Sequence, residues 1–154
     1  MIVKSFEIEK IKSIKNNFIL LYGSNQGHKN QVIKELFEIS FKGEISRFDE
    51  NEILNNYESF VSSLINKSLF EDYKLIVISR VSDKIIKLMN EILERNIEKI
   101  KIIINSDNLD KKSKLRSLFE KNNKKNVDED QLKILEIALD CINNDKDISI
   151  LNSQ

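Results

Sequence analysis

The chain has 154 residues, 40% hydrophobic and 32% charged, enough to build one soluble globular domain with a real core. Its 25 Lys and Arg balance its 25 Asp and Glu, so no global charge argues for wrapping nucleic acid or coating a membrane. One cysteine, Cys141, excludes an internal disulfide and fits a reducing, cytoplasmic compartment, while charges break the apolar residues of the first seven positions and exclude a secretory signal there.

In chain order, Ile2 to Phe6 is a candidate edge strand or docking segment. Phe18 to Tyr22 is the first buried strand, far too short to span a bilayer, and a Gly-containing turn leads from it into a helix. That helix carries Val32, Ile33, Leu36, Phe37 and Phe41 on one face; Gly43 ends it, and "EISRF" (44–48) is the second strand. Asp49 with Glu52 three residues later spells a capping box, opening a helix that buries Ile53, Leu54, Tyr57, Phe60, Val61, Leu64 and Ile65. "YKLIVIS" (73–79) is a continuous apolar run of the kind found in a parallel sheet covered on both faces. A helix from about Ser82 to Arg95 then turns Ile85, Ile86, Met89, Ile92 and Leu93 to the core. "KIKIIIN" (99–105) is the next strand, and Leu115, Leu118 and Phe119 mark a helix after it.

Lys121 to Asn126 reads as a polar, basic loop, and Asp128 to about Asn143 as a last amphipathic helix through Leu132, Leu135, Leu139 and Ile142. Inside that pattern Cys141 reads as a small core residue rather than a nucleophile. The absence of proline removes the usual punctuation of loops. Strand and helix alternate, which implies right-handed crossovers and an α/β three-layer sandwich with a mostly parallel sheet.

The turn after the first strand, Gly23-Ser24-Asn25-Gln26-Gly27-His28-Lys29-Asn30, has the outline of a phosphate-binding loop. A working loop needs Gly-x-x-x-x-Gly-Lys-[Ser/Thr]: glycines curl amides round the phosphates, the lysine reaches them, and the hydroxyl holds Mg²⁺. Aligned on Lys29, Gly23 is in place, but His28 stands where the second glycine belongs and Asn30 where the hydroxyl belongs; Gly27 is one position early. The strand that should end in an acidic pair ends Ile78-Ser79-Arg80, and Arg80 would repel the metal. The segment is therefore read as the shell of a nucleotide site, with anion binding at the helix start as the alternative. His28, with no Cys or His neighbour in sequence, reads as a loop residue rather than a metal ligand. No cofactor is expected.

Two further stretches, "INKSLFEDYKLIVISRVSDK" (65–84) and "INSDNLDKKSKLRSLFEK" (104–121), resemble the N-terminal domain of the delta subunit of the bacterial DNA polymerase III clamp loader. Ser68-Leu69-Phe70 matches that family's Ser-Leu-Phe at a helix end, and Leu109-Asp110-Lys111-Lys112-Ser113-Lys114-Leu115 matches its Leu-Asp-Lys-[Arg/Lys]-Ser-Lys-Leu signature. "LLYG" (20–23) matches the family's opening strand. The order and spacing cover about 120 residues. The resemblance implies a P-loop NTPase/AAA+-like domain with a degenerate nucleotide site over residues 1–126. It also implies that Leu69 and Phe70, with Ser68, form a tip that enters an apolar pocket of the sliding clamp. From the residues alone, a core role for Leu69 and Phe70, closing the helix-to-strand turn, is favoured, and Lys67 stands where the family often has an apolar residue.

Lys111, Lys112, Lys114 and Arg116 form a basic segment that either faces DNA phosphates or is a solvated helix face. The expected partners are the sliding clamp, other loader subunits if the lid and collar domains are supplied separately, and DNA indirectly, with no membrane. The resemblance fades after about Lys125, so residues 127–154 are expected to be a helix and tail without lid or collar. The delta-prime type of loader subunit is disfavoured because its cysteine cluster and Ser-Arg-Cys motif have no counterpart here. Two rival readings of the residues are a divergent P-loop nucleotide-binding protein and a stand-alone interaction domain unrelated to replication.

Overall fold

The computed structural model describes residues 2–4, 17–66, 73–95, 97, 99–125 and 134–138. Six strands, β1 (Ile2–Lys4), β2 (Phe18–Tyr22), β3 (Glu44–Asp49), β4 (Lys74–Val81), β5 (Ile100–Ser106) and β6 (Ile134–Ala138), form one sheet in the order β1-β6-β2-β5-β4-β3. Every neighbouring pair is parallel. The helices are α1 (Gln26–Val32), α2 (Glu50–Asn55), α3 (Tyr57–Asn66), α4 (Ile86–Glu94) and α5 (Lys114–Lys125).

The layering follows from the period of the strands. All five residues of β2 are buried. Its odd residues, Ile19 and Leu21, pack with Val32, Ile33 and Phe37 of the first helix and with Leu75, Val77 and Ile103. Its even residues, Phe18, Leu20 and Tyr22, join the larger core on the other face, with Phe60, Leu64, Ile85, Met89, Leu115 and Phe119. Among the described residues, one helix thus covers one face and four cover the other, which gives the α/β arrangement of helices on both sides of a parallel sheet.

Several local outcomes differ from the sequence-based expectation. The first helix is α-helical only to Val32 and continues as a wider π turn over Ile33–Glu38, where Ile39 N–H donates to the Lys34 carbonyl at 3.0 Å. The helix opened by the Asp49–Glu52 capping box does form that box, but it breaks at Asn56 into α2 and α3. Asn56 is non-helical and its side-chain amide donates to the Glu52 carbonyl at 3.1 Å, a local bond that competes with the helix ladder. Ile65, expected in the buried stripe, is 38% exposed.

Lys121 to Lys125, expected as loop, extends α5. The expected helix over 128–143 contains instead the strand β6, which inserts between β1 and β2. Its leucine and isoleucine spacing fits both periods, and the vacant flank of β2 decides between them. Cys141 lies outside the described residues. Among those described, no helix is long and apolar enough to cross a membrane.

Candidate functional site: the carboxyl ends of β2, β4 and β5

In an open parallel sheet, ligands bind beyond the carboxyl ends of the strands, where neighbouring strands send their connections to opposite faces. Here that point lies between β2 and β5. α1, leaving β2, packs on one face, whereas α5, leaving β5, packs on the other. The segment 23–30 therefore stands where the fold would place a ligand.

Several of its groups are bonded within the protein itself. Gly23, with φ of 132°, is in backbone space that a side chain rarely adopts, and its N–H donates to the Asp107 carbonyl at 3.2 Å. Asn25 caps α1: its side-chain oxygen accepts from His28 N–H at 3.0 Å, and its carbonyl accepts from Lys29 N–H at 3.1 Å. Gln26 N–H donates to the Ser24 carbonyl at 3.0 Å. Lys29 is fully buried; its ammonium donates to the Ser106 carbonyl at 2.5 Å and lies 3.9 Å from the exposed Asp107 carboxylate. Asn30 is exposed, and its side-chain oxygen accepts from Gln26 at 3.1 Å and from Asn105 at 3.4 Å.

One expectation about this segment is corrected. His28 is not a loop residue: α1 begins at Gln26, so His28 lies in its first turn, and it is buried there. Gly27 is helical and exposed, and a Cβ on it would meet only the Asn25 side-chain oxygen at 3.7 Å, an ordinary contact. Neither position forms a tight glycine cradle.

At the end of β4 the register slips between Ile78 and Val81, and Arg80 takes a positive φ of 55° within that bulge. Its exposed guanidinium pairs with Asp49, whose other carboxylate oxygen caps α2 by accepting from Asn51 N–H at 3.1 Å. Glu50, buried, accepts from the Ser82 N–H at 2.8 Å and from its hydroxyl. Asp83 reaches across to α5: it accepts from the Ser113 hydroxyl at 2.8 Å and from the Lys114 and Leu115 amides at 3.0 Å each. Burial alone would raise the Asp83 carboxyl, but those two amides and the Ser113 hydroxyl hold it below the usual carboxylate range. The Asp49, Glu50 and Asp83 carboxylates are thus engaged in holding helix ends and the β4 turn. Among the described residues, no group of three or more His, Cys, Asp or Glu is arranged to hold a metal ion.

A cavity of about 440 Å³ opens between the ends of β4 and β5 and the start of α5, with Arg80, Ser82, Asp83, Asp107, Asn108 and Lys112 in its lining. That volume suits a small ligand. However, Arg80, Ser82 and Asp83 have the intramolecular partners just given, and Ser106 donates its hydroxyl to the Val81 carbonyl at 2.6 Å.

The 109–115 signature is explained locally. Asp110 caps the turn by accepting from Lys112 N–H at 2.7 Å, Ser113 caps α5 by accepting from Arg116 N–H at 3.2 Å, and Leu115 is fully buried. Lys111, Lys112 and Lys114 are exposed. Arg116 turns inward: it pairs with Glu120 at 2.9 Å, donates to the Leu109 carbonyl at 3.4 Å and lies 5.4 Å over the Tyr22 ring.

Ser68, Leu69 and Phe70 lie outside the described residues. Sequence reasoning missed Glu50, Asp83 and Asn105. Asp83 directly follows Ser82 at a helix start, a pairing that signals a cap, but nothing local signals that it caps a different helix. Comparison with protein-family models and with curated proteins finds no match to this chain.

Proposed function

We propose that the chain is a delta-like subunit of the bacterial DNA polymerase III clamp loader, a cytoplasmic protein that binds the sliding clamp and helps to open it for loading onto DNA. It has no nucleotide hydrolysis of its own on this reading, and it acts as a part of the polymerase holoenzyme, a nucleotidyltransferase. The motifs in 20–23, 65–84 and 104–121 support the family, and a parallel α/β sheet with a self-engaged loop at its switch point is compatible with it.

The observation that carries the reading is a pair of exposed apolar side chains flanking Leu69 and Phe70 in the chain: Ile65, at the end of α3, and Tyr73, 63% exposed, just before β4. They lie at the amino end of β4, the opposite end of the sheet from the loop at 23–30. A partner can therefore be engaged there without touching that loop. Each apolar side chain that enters a partner pocket contributes roughly 1.5–3 kcal/mol, the scale of an interface hot spot.

The test is a titration of this chain, and of its Leu69→Ala/Phe70→Ala variant, against the cognate sliding clamp. The wild type should bind, and the double variant should lose binding while its thermal unfolding stays nearly unchanged. A double variant that unfolds, or that binds at wild-type strength, ends this reading. The core alternative predicts the first of those results, because two buried truncations would cost roughly 2–5 kcal/mol each.

A further inference from the structure

We infer that Lys29 is a latch: its enclosed ammonium ties the β2–α1 loop to the end of β5 and withholds the cation that phosphate binding by this loop would require. This is independent of the clamp reading. Three hydrogen bonds cross the crevice between β2 and β5, namely Lys29 Nζ to the Ser106 carbonyl, Gly23 N–H to the Asp107 carbonyl and Asn105 Nδ2 to Asn30 Oδ1. All three join the same two segments, 23–30 and 105–107, and Lys29 supplies the charged one.

An ammonium with 0% exposure has given up its water and is held by the oxygen atoms around it. Turning it outward to a phosphate would first break the Ser106 bond and leave that buried carbonyl short of a donor. Four amides of the loop are also engaged. Gly23, Gln26, His28 and Lys29 N–H all donate to Asp107, Ser24 or Asn25. A phosphate would have to displace the latch and the cap together. The motif lysine has therefore become a structural cation, and the loop is closed by its own side chain.

Acetylation of the native 154-residue chain with limiting acetic anhydride, read lysine by lysine by mass spectrometry, tests the latch without any substitution. Lys29 should react at least about tenfold more slowly than the exposed Lys34 and Lys42. Titration with Mg-ATP or tripolyphosphate to about 1 mM, the weak end of the affinity scale, should show no saturable binding. In Lys29→Met, hydrogen exchange of the Gly23 amide should accelerate about tenfold, the equivalent of one lost hydrogen bond. The inference is overturned if Lys29 reacts as fast as Lys34, or if the wild type binds either phosphate compound and Lys29→Met does not. Unchanged Gly23 exchange in that variant also overturns it. The acetylation rates decide the matter on the wild-type chain even where the Met variant does not fold.

Discussion

Asp83 is one carboxylate with two tasks. It opens the turn before α4 and, from 30 residues away in sequence, accepts from Ser113 and two amides at the start of α5. Because its folded pKa is depressed, its contribution to stability is fully present above the ordinary value of 3.8 and is lost as pH falls through the lower folded value. Asp83→Asn should lower stability by about 1 kcal/mol near neutral pH, as for loss of a helix cap, and the difference from wild type should shrink below about pH 4 in denaturant titrations. Tyr57 shows the opposite sign. Burial, and then its hydrogen bond to Glu91 at 2.5 Å, push its hydroxyl up to about 12. The bond it makes between α3 and α4 is thus intact below pH 10 and lost as pH rises through about 12. An ultraviolet titration comparing wild type with Tyr57→Phe should assign that late phase to Tyr57. At the loop, His28, Asn30 and Arg80 each replace a part of a phosphate and Mg²⁺ site, so no ATPase above background is expected with or without DNA. Turnover that disappears in Lys29→Ala would refute that.

Elements built from strong periodic patterns were legible, and those settled by distant partners were not. The apolar runs at 18–22, 44–48, 73–79 and 99–105 are strands within a residue or two at their ends, and Asp49 and Glu52 form the capping box their spacing spells. The break at Asn56, the π turn at Ile33–Glu38 and the strand at 134–138 depend on an amide side chain, on packing of Ile33 and Phe37, and on the free flank of β2. The loop motif likewise marked a segment that lies at the carboxyl ends of the strands. It did not give the direction of Lys29, which is fixed by a carbonyl 77 positions away. Two glycines separate local from distant demands. A Cβ on Gly43 would sit 2.0 Å from the Tyr73 carbonyl oxygen, backbone against backbone, so Gly43→Ala should cost more than about 1 kcal/mol. Gly27→Ala, whose Cβ would make only an ordinary contact on α1, should stabilise by up to about 1 kcal/mol through helix propensity. Paired thermal melts of the two variants check both signs. Likewise Phe119→Ala, fully buried in α5, should cost about 3–5 kcal/mol, whereas Ile39→Ser, 70% exposed, should stay within about 0.5 kcal/mol.

Across the whole molecule, the sheet divides into a run assembled in chain order and a margin that is not. β3, β4 and β5 are laid down successively, each beside the last, and β2 closes against β5. A chain ending at residue 126 would leave the fully buried strand β2 with one unpaired flank, and β1 without its partner β6. Such a chain should be less soluble than the full one and lose its cooperative melt; a sharp transition at the full-length midpoint would contradict this. The same margin sets a timetable. Ile2 lies opposite Glu136, so β1 cannot pair until β6 has been made, and the loop between them is long and costly to close. On the ribosome, residues 18–106 emerge early enough to assemble while β1 has nothing to pair with. Completion of the sheet thus waits on β6, and its final step joins two strands that lie far apart in the chain.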